Sequence, residues 1–237
     1  MISVQDISFH YPNHDALFSG VTFTVSRGEA VAIVGPNGSG KTTLLRILAG
    51  AMSPSSGKLS ISEMGRVILV PTNMDHFLLP WYSVERNLAF FNHRRTMQPS
   101  ARGDDYRALI GAFFPTLARG GLSREVYKLS SGEKAIVGYA CAMEARPDLL
   151  ILDELFGNLS LTLLSELMNH IRSHLTSGLS VVFTSHAPEV VRTLARKTIA
   201  LIGRLAIAML SLAWHVSPAF GGCFPASIRH MCHPRSM

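Results

Sequence analysis

Gly35-Pro36-Asn37-Gly38-Ser39-Gly40-Lys41-Thr42 has the spacing G-x-x-x-x-G-K-[ST] and lies between an apolar run and a helix-like stretch. Residues of these types in this order can hold phosphate. Glycines let the backbone wrap an anion closely and take positive φ where the turn needs it. Their N–H groups form a concave nest, and the following helix start adds partial positive charge. Lys41 can place an ammonium on β- and γ-phosphate oxygens, and the Thr42 hydroxyl can ligate Mg2+. A second group is acidic: Asp153 and Glu154 close the apolar run Leu149-Leu150-Ile151-Leu152. Asp153 suits a cation beside Thr42, and Glu154 suits orienting or deprotonating an attacking water. His186, in Thr184-Ser185-His186-Ala187, follows another apolar run and would fall within reach of a terminal phosphate. Leu129-Ser130-Ser131-Gly132-Glu133 opens a helix-like stretch, with Ser130 as a good N-cap and N–H groups that suit an anion.

Strands and helices must position these groups. Residues 2–9 and 21–25 alternate apolar and polar, and 29–34, 67–70, 149–152 and 180–184 are nearly continuous apolar runs, as for strands buried on both faces. Helical periodicity is expected near 41–49, 83–91, 104–118, 131–145, 160–176 and 187–196, with a loop over 92–103. Strands alternating with helices predict an α/β fold with a parallel sheet covered on both faces. In such sheets ligands bind beyond the carboxyl ends of the strands, which is where Asp153, Glu154 and His186 would lie. The helical block 83–145 reads as an insertion. Thr198–Trp214 is apolar but interrupted by Gly203 and Arg204, and short of the about 20 residues of a membrane span. It is expected to form two short edge strands, 198–202 and 205–209.

The 237 residues are 47% apolar and 16% charged, the latter below the roughly 25% of an ordinary domain, which excludes a disordered chain. Cys141, Cys223 and Cys232 do not make a disulfide framework. The net charge of +6 is unevenly spread. Residues 1–187 carry 16 basic and 15 acidic groups, and residues 188–237 six basic and one acidic. The body is therefore near neutral and does not read as a nucleic-acid binder. Residues 215–237 show no usable periodicity, and the basic stretch 210–237 is expected to be a poorly structured tail. His230, Cys232 and His233 cluster there, but no second ligand pair supports a metal site.

Together these motifs resemble the ATP-binding cassette family, the ATPase subunits of ABC transporters, over residues 2–203. The resemblance implies a P-loop NTPase core with a parallel sheet, an N-terminal antiparallel β subdomain and an inserted helical subdomain. It divides the chain into a single domain 1–209 (core 1–82 and 146–209, helical part 83–145) and the tail 210–237. Gly35–Thr42 corresponds to the Walker A loop, with Gly35, Pro36, Asn37, Gly38, Ser39, Gly40, Lys41, Thr42 and Thr43 on the nucleotide. Leu149–Glu154 corresponds to the Walker B strand and His186 to the switch histidine. Tyr11 matches the aromatic residue that stacks on adenine. Ser130, Ser131, Gly132 and Glu133 match the signature loop, which would meet ATP held by a second cassette in a head-to-tail pair. The implied cofactors are ATP and Mg2+. The implied partners are membrane permease subunits, a second ATPase subunit (identical or not) and a solute-binding protein, with no nucleic acid, at the cytoplasmic face of the cell membrane.

The chain departs from the family pattern at several positions. Thr72 stands for the usual glutamine, Leu155 for proline, Ser160 for aspartate, and Ser131 and Glu133 for the signature's glycine and glutamine. Ala135-Ile136 replaces a Gln-Arg pair. Hydrolysis is expected, with altered coupling to the partner. Phe77–Leu88 is similar to importer ATPases for nitrate, sulfonates and taurine, which favours import; Leu17-Phe18-Ser19-Gly20 is also similar to haem-export ATPases. The alternatives are a nucleotide-binding regulator with weak hydrolysis and a soluble ATPase acting on nucleic acid or the ribosome.

Overall fold

The computed structural model describes residues 2–61, 65–92, 110–111, 113, 121–202, 205–210, 214–215 and 224–225. A nine-stranded sheet carries the site. Its strands are β1 (Ile2–His10), β2 (Ala16–Val25), β3 (Ala30–Val34), β4 (Ser56–Ile61), β5 (Val67–Val70), β6 (Leu149–Leu152), β7 (Ser180–Thr184), β8 (Lys197–Ile202) and β9 (Leu205–Leu210). They lie in the order β4-β1-β2-β9-β8-β3-β7-β6-β5. From β8 to β5 every pairing is parallel, while β1 runs antiparallel to both β2 and β4. The sheet is thus a parallel half joined to an antiparallel wing.

Every residue of β3, β6 and β7 is buried. These strands serve two cores, because alternate side chains point to opposite faces. Ala30, Ala32, Val34, Leu150, Leu152, Val181 and Phe183 pack on one face with helices α3 (Ser131–Glu144), α4 (Leu161–Thr176) and α5 (Pro188–Leu194). Val31, Ile33, Leu149, Ile151, Val182, Ile199 and Leu201 pack on the other with α1 (Lys41–Leu48) and the antiparallel wing. Helix α2 (Val84–Asn92) packs on α3, as do Ile110 and Phe113 in the same core.

The structure corrects several expectations. β2 starts five residues before the expected 21–25 strand, so the segment at Leu17 and Phe18 is strand. β4 was not expected at all; five of its six residues are exposed, so it carries no apolar alternation. The two strands near 198 and 205 are interior, not at an edge: β8 sits between β3 and β9, and β9 between β8 and β2. The helix expected over 187–196 is shorter, and the last of its residues turn into β8. Most of the 104–118 helix and the 92–103 loop lie outside the described residues, as do His230, Cys232 and His233. Within the tail the described residues are Trp214–His215 and Phe224–Pro225, which pair antiparallel. Among the described residues no helix is long and apolar enough to cross a membrane.

Candidate active site

The phosphate-type loop leaves β3 at Val34 and enters α1 at Lys41. Two glycines are required by space and conformation. At Gly35 a Cβ would come 2.5 Å from the Leu201 carbonyl oxygen and 2.7 Å from Ser39 Oγ. Gly40, the residue before α1, has φ 94°, in the left-handed region. Within this tight turn the Ser39 hydroxyl is buried and has no hydrogen-bond partner among the described residues. An orphaned donor inside a nest of N–H groups fits a phosphate oxygen. Lys41 curls over the loop, donating from Nζ to the carbonyls of Gly35 at 2.9 Å and Pro36 at 3.1 Å. Burial pushes its ammonium below the ordinary value of 10.5, against the opposing pull of Glu154 and then Asp153.

The acidic pair is held by a chain of hydrogen bonds across three elements. Thr42 donates to Asp153 Oδ2 at 2.8 Å. Thr184, the last residue of β7, donates to Asp153 Oδ1 at 2.9 Å and accepts from the Glu154 N–H at 2.8 Å. Asp153 is almost wholly buried, so both its oxygens are oriented by hydroxyls rather than by water. Glu154 has φ 53° and ψ 28°, the left-handed conformation that a non-glycine residue adopts at a cost of about 1–2 kcal/mol. Its Oε1 lies 2.9 Å from His186 Nε2. Lys41, Thr42, Asp153, Glu154 and His186 thus lie together at the strand ends.

Tyr11 also reaches this end of the sheet: its hydroxyl is 3.2 Å from Thr43 Oγ1, and its half-exposed ring stands edge-on to Phe9 at 5.0 Å. Among the described residues no hydrogen bond or ion pair joins residues 130–133 to 35–43. Ser130 caps α3 in a reciprocal box, accepting from Glu133 N–H at 3.3 Å while its own N–H and hydroxyl donate to Glu133 Oε2 at 2.8 Å each. Arg124 lies 3.7 Å from the other Glu133 oxygen. Ser131 does line a cleft with Thr72, Asn73, Asp75, Lys134 and Glu154. Ser160, at the position of the pattern's aspartate, caps α4 by accepting from Leu163 N–H at 3.4 Å.

Two residues that sequence reasoning passed over are structurally central. Thr184 joins the Asp153 carboxylate to the Glu154 backbone N–H, and its signal was only that of a polar residue ending an apolar strand. Asn87, fully buried, accepts from the Leu79 N–H at 2.8 Å and donates to the carbonyls of Leu79, Tyr82 and Ser83 at 3.1, 3.4 and 3.0 Å. It shapes the loop that displays Trp81, 78% exposed, and Tyr82. Trp81 stacks near Tyr127 at 5.2 Å.

Comparison with known proteins agrees with this geometry. The sequence pattern of the family described as "ABC transporter" matches residues 18–157. An ABC transporter ATP-binding protein of Pyrococcus horikoshii is 30% identical over 85% of this chain and 80% of its own length. A phosphonates import ATP-binding protein, PhnC 2 of Rhodopseudomonas palustris, is 33% identical over 87% of this chain and 78% of its own. The taurine import ATP-binding protein TauB of Pseudomonas syringae is 31% identical over 67% of this chain. Of the import proteins for molybdenum, sulfate and taurine among the relatives, the chain spans only 53%, 58% and 62%. An ATP-binding cassette solved as a dimer in a post-hydrolysis state with ADP and Pi shares the fold, with a TM-score of 0.76 at 20% identity over 89% of this chain and 99% of that one. The chain is an ATP-binding cassette and belongs to the ABC transporter family.

Proposed function

We propose that this chain hydrolyses ATP to power solute import through separate membrane permease subunits. The observation that carries the reading is the hydrogen-bonded line Thr42–Asp153–Thr184–Glu154, which joins a phosphate-type loop through the Asp153 carboxylate to the backbone of Glu154 beyond two strand ends. The N–H groups of Gly35–Gly40, the Ser39 hydroxyl and the Lys41 ammonium hold the triphosphate, and Tyr11 stacks on the adenine. Thr42 and Asp153 offer hard oxygen donors of the kind Mg2+ prefers. When bound there, Mg2+ neutralises charge that develops on the phosphate oxygens. Glu154 orients an attacking water and accepts its proton as the bond from the terminal phosphorus to the ADP oxygen breaks. His186 holds the Glu154 carboxylate and faces the terminal phosphate. Ser130, Ser131, Gly132 and Glu133, which make no hydrogen bond to the chain's own loop among the described residues, serve ATP bound by a second cassette.

Import and the permease partner rest on the import relatives and on one surface. Trp81, Tyr82, Phe90 and Tyr127 are exposed aromatics, with Arg86 over the Tyr82 ring at 5.7 Å and Lys128 over the Tyr127 ring at 5.3 Å. This surface, next to α2, is where a cytoplasmic segment of a permease would dock, placing the chain at the cytoplasmic face of the membrane. Affinity purification from native membranes tests the reading. An integral membrane protein is expected to copurify with the wild-type chain and to be reduced with Trp81→Ala. RNase-sensitive association without a membrane protein would overturn it.

A further inference from the structure

The turn after β5 and the start of α3 are joined by an ion pair that the catalytic reading leaves unused. Lys134 Nζ donates to Asp75 Oδ1 at 2.7 Å, with the lysine side chain 18% exposed and the aspartate 52%. Asn73 prepares the contact: its side-chain oxygen accepts from the Asp75 N–H at 3.0 Å and fixes the turn Met74–His76. One helical turn beyond Lys134, on the same face of α3, Gly138 leaves the space that Met74 fills; a Cβ there would lie 2.7 Å from Met74 Sδ. Two successive residues of the turn, Met74 and Asp75, thus grip two i,i+4 positions of α3. Asp75, Lys134, Ser131 and Glu154 line a single cleft. The grip lies between the N-terminal loop of α3 and the strand end that carries Glu154.

We propose that Lys134 and Asp75 are positioning residues that fix the start of α3, and with it Ser130–Gly132, relative to Glu154. The polar half of the grip is directional and partly desolvated, so it sets the position and not only the proximity of the helix. The apolar half, Met74 in the Gly138 notch, holds the helix against the turn by packing. Removing the charge on either side leaves the helix packed but loosens its register on the turn.

The test uses the full chain and two readouts, amide hydrogen exchange and steady-state ATP turnover. The second rests on the ATPase reading; the first does not. Asp75→Asn and Lys134→Met are each expected to raise exchange across 131–138 by about fivefold and to lower kcat by about fivefold, with KM for ATP within about twofold. The reversed pair, Asp75→Lys with Lys134→Glu, is expected to restore both to within about twofold, and Lys134→Arg alone to keep both at the wild-type level. Single variants with wild-type exchange, or losses that neither the reversed pair nor Lys134→Arg avoids, overturn the proposal. Wild-type turnover no higher than that of Glu154→Gln overturns the ATPase reading instead, and exchange then decides the clamp alone.

Discussion

Thr184 shows how much a single hydroxyl can carry at this site. It donates to one Asp153 oxygen and accepts from the Glu154 backbone, so it fixes one carboxylate and the backbone that carries the other. Thr184→Val keeps the shape but leaves a buried carboxylate oxygen and an N–H without this partner, at a cost of about 1–3 kcal/mol. Turnover is expected to fall about tenfold with ATP affinity nearly unchanged, and Thr184→Ser to restore it, as read by kcat and nucleotide titration. Lys41 gives a pH dependence. Burial lowers its folded-state value below 10.5, the value expected in the unfolded chain. Between those two values the unfolded chain binds more protons at this group, so its contribution to stability rises with pH there. A triphosphate favours the ammonium, so ATP binding takes up a proton in the same window, and ATP affinity is expected to weaken as pH rises through it. Titrations in buffers of different ionisation enthalpy measure that uptake. Lys41 was legible from the glycine spacing of its loop, and Asp153 and Glu154 because charged residues directly beside an apolar run stand out. Thr184 was not, because one threonine ending a valine-rich strand reads as ordinary β-propensity.

At the scale of elements, legibility followed burial. β3, β6 and β7 are buried on both faces and announce themselves as unbroken apolar runs. β4 is exposed over most of its length and is held by its pairing with β1, a non-local property that no short window records. The apolar run near 198–210 was read correctly as two strands but placed wrongly, because neighbours in a sheet are chosen by pairing across the whole chain. Asn87 belongs to this scale. It adds hydrogen bonds from one buried amide to the backbone pairing of the loop 79–83. Asn87→Ala is expected to lower the thermal midpoint by about 5 °C, from about 1–3 kcal/mol of lost and orphaned hydrogen bonds. It should also weaken permease association by displacing Trp81, whereas Trp81→Ala should weaken association with little change in midpoint. Thermal scans and membrane copurification on both variants separate the two effects.

At the scale of the whole molecule, if, as proposed, residues 130–133 of one cassette complete the ATP site of a second, ATP acts by shifting a population: it favours the closed pair, and hydrolysis releases it. Turnover per chain is therefore expected to rise with protein concentration, as a dimer requires. The sum of charge fits this picture, since the near-neutral body leaves the phosphate loop as the focus for an anion. The claim at the centre is that Glu154 drives ATP hydrolysis at this site. The most direct measurement is phosphate release from ATP by the wild-type chain and by Glu154→Gln, with ATP binding measured on the same samples. Release is expected to drop by about a hundredfold or more in Glu154→Gln while binding stays within about threefold. Equal phosphate release from the two proteins would contradict it.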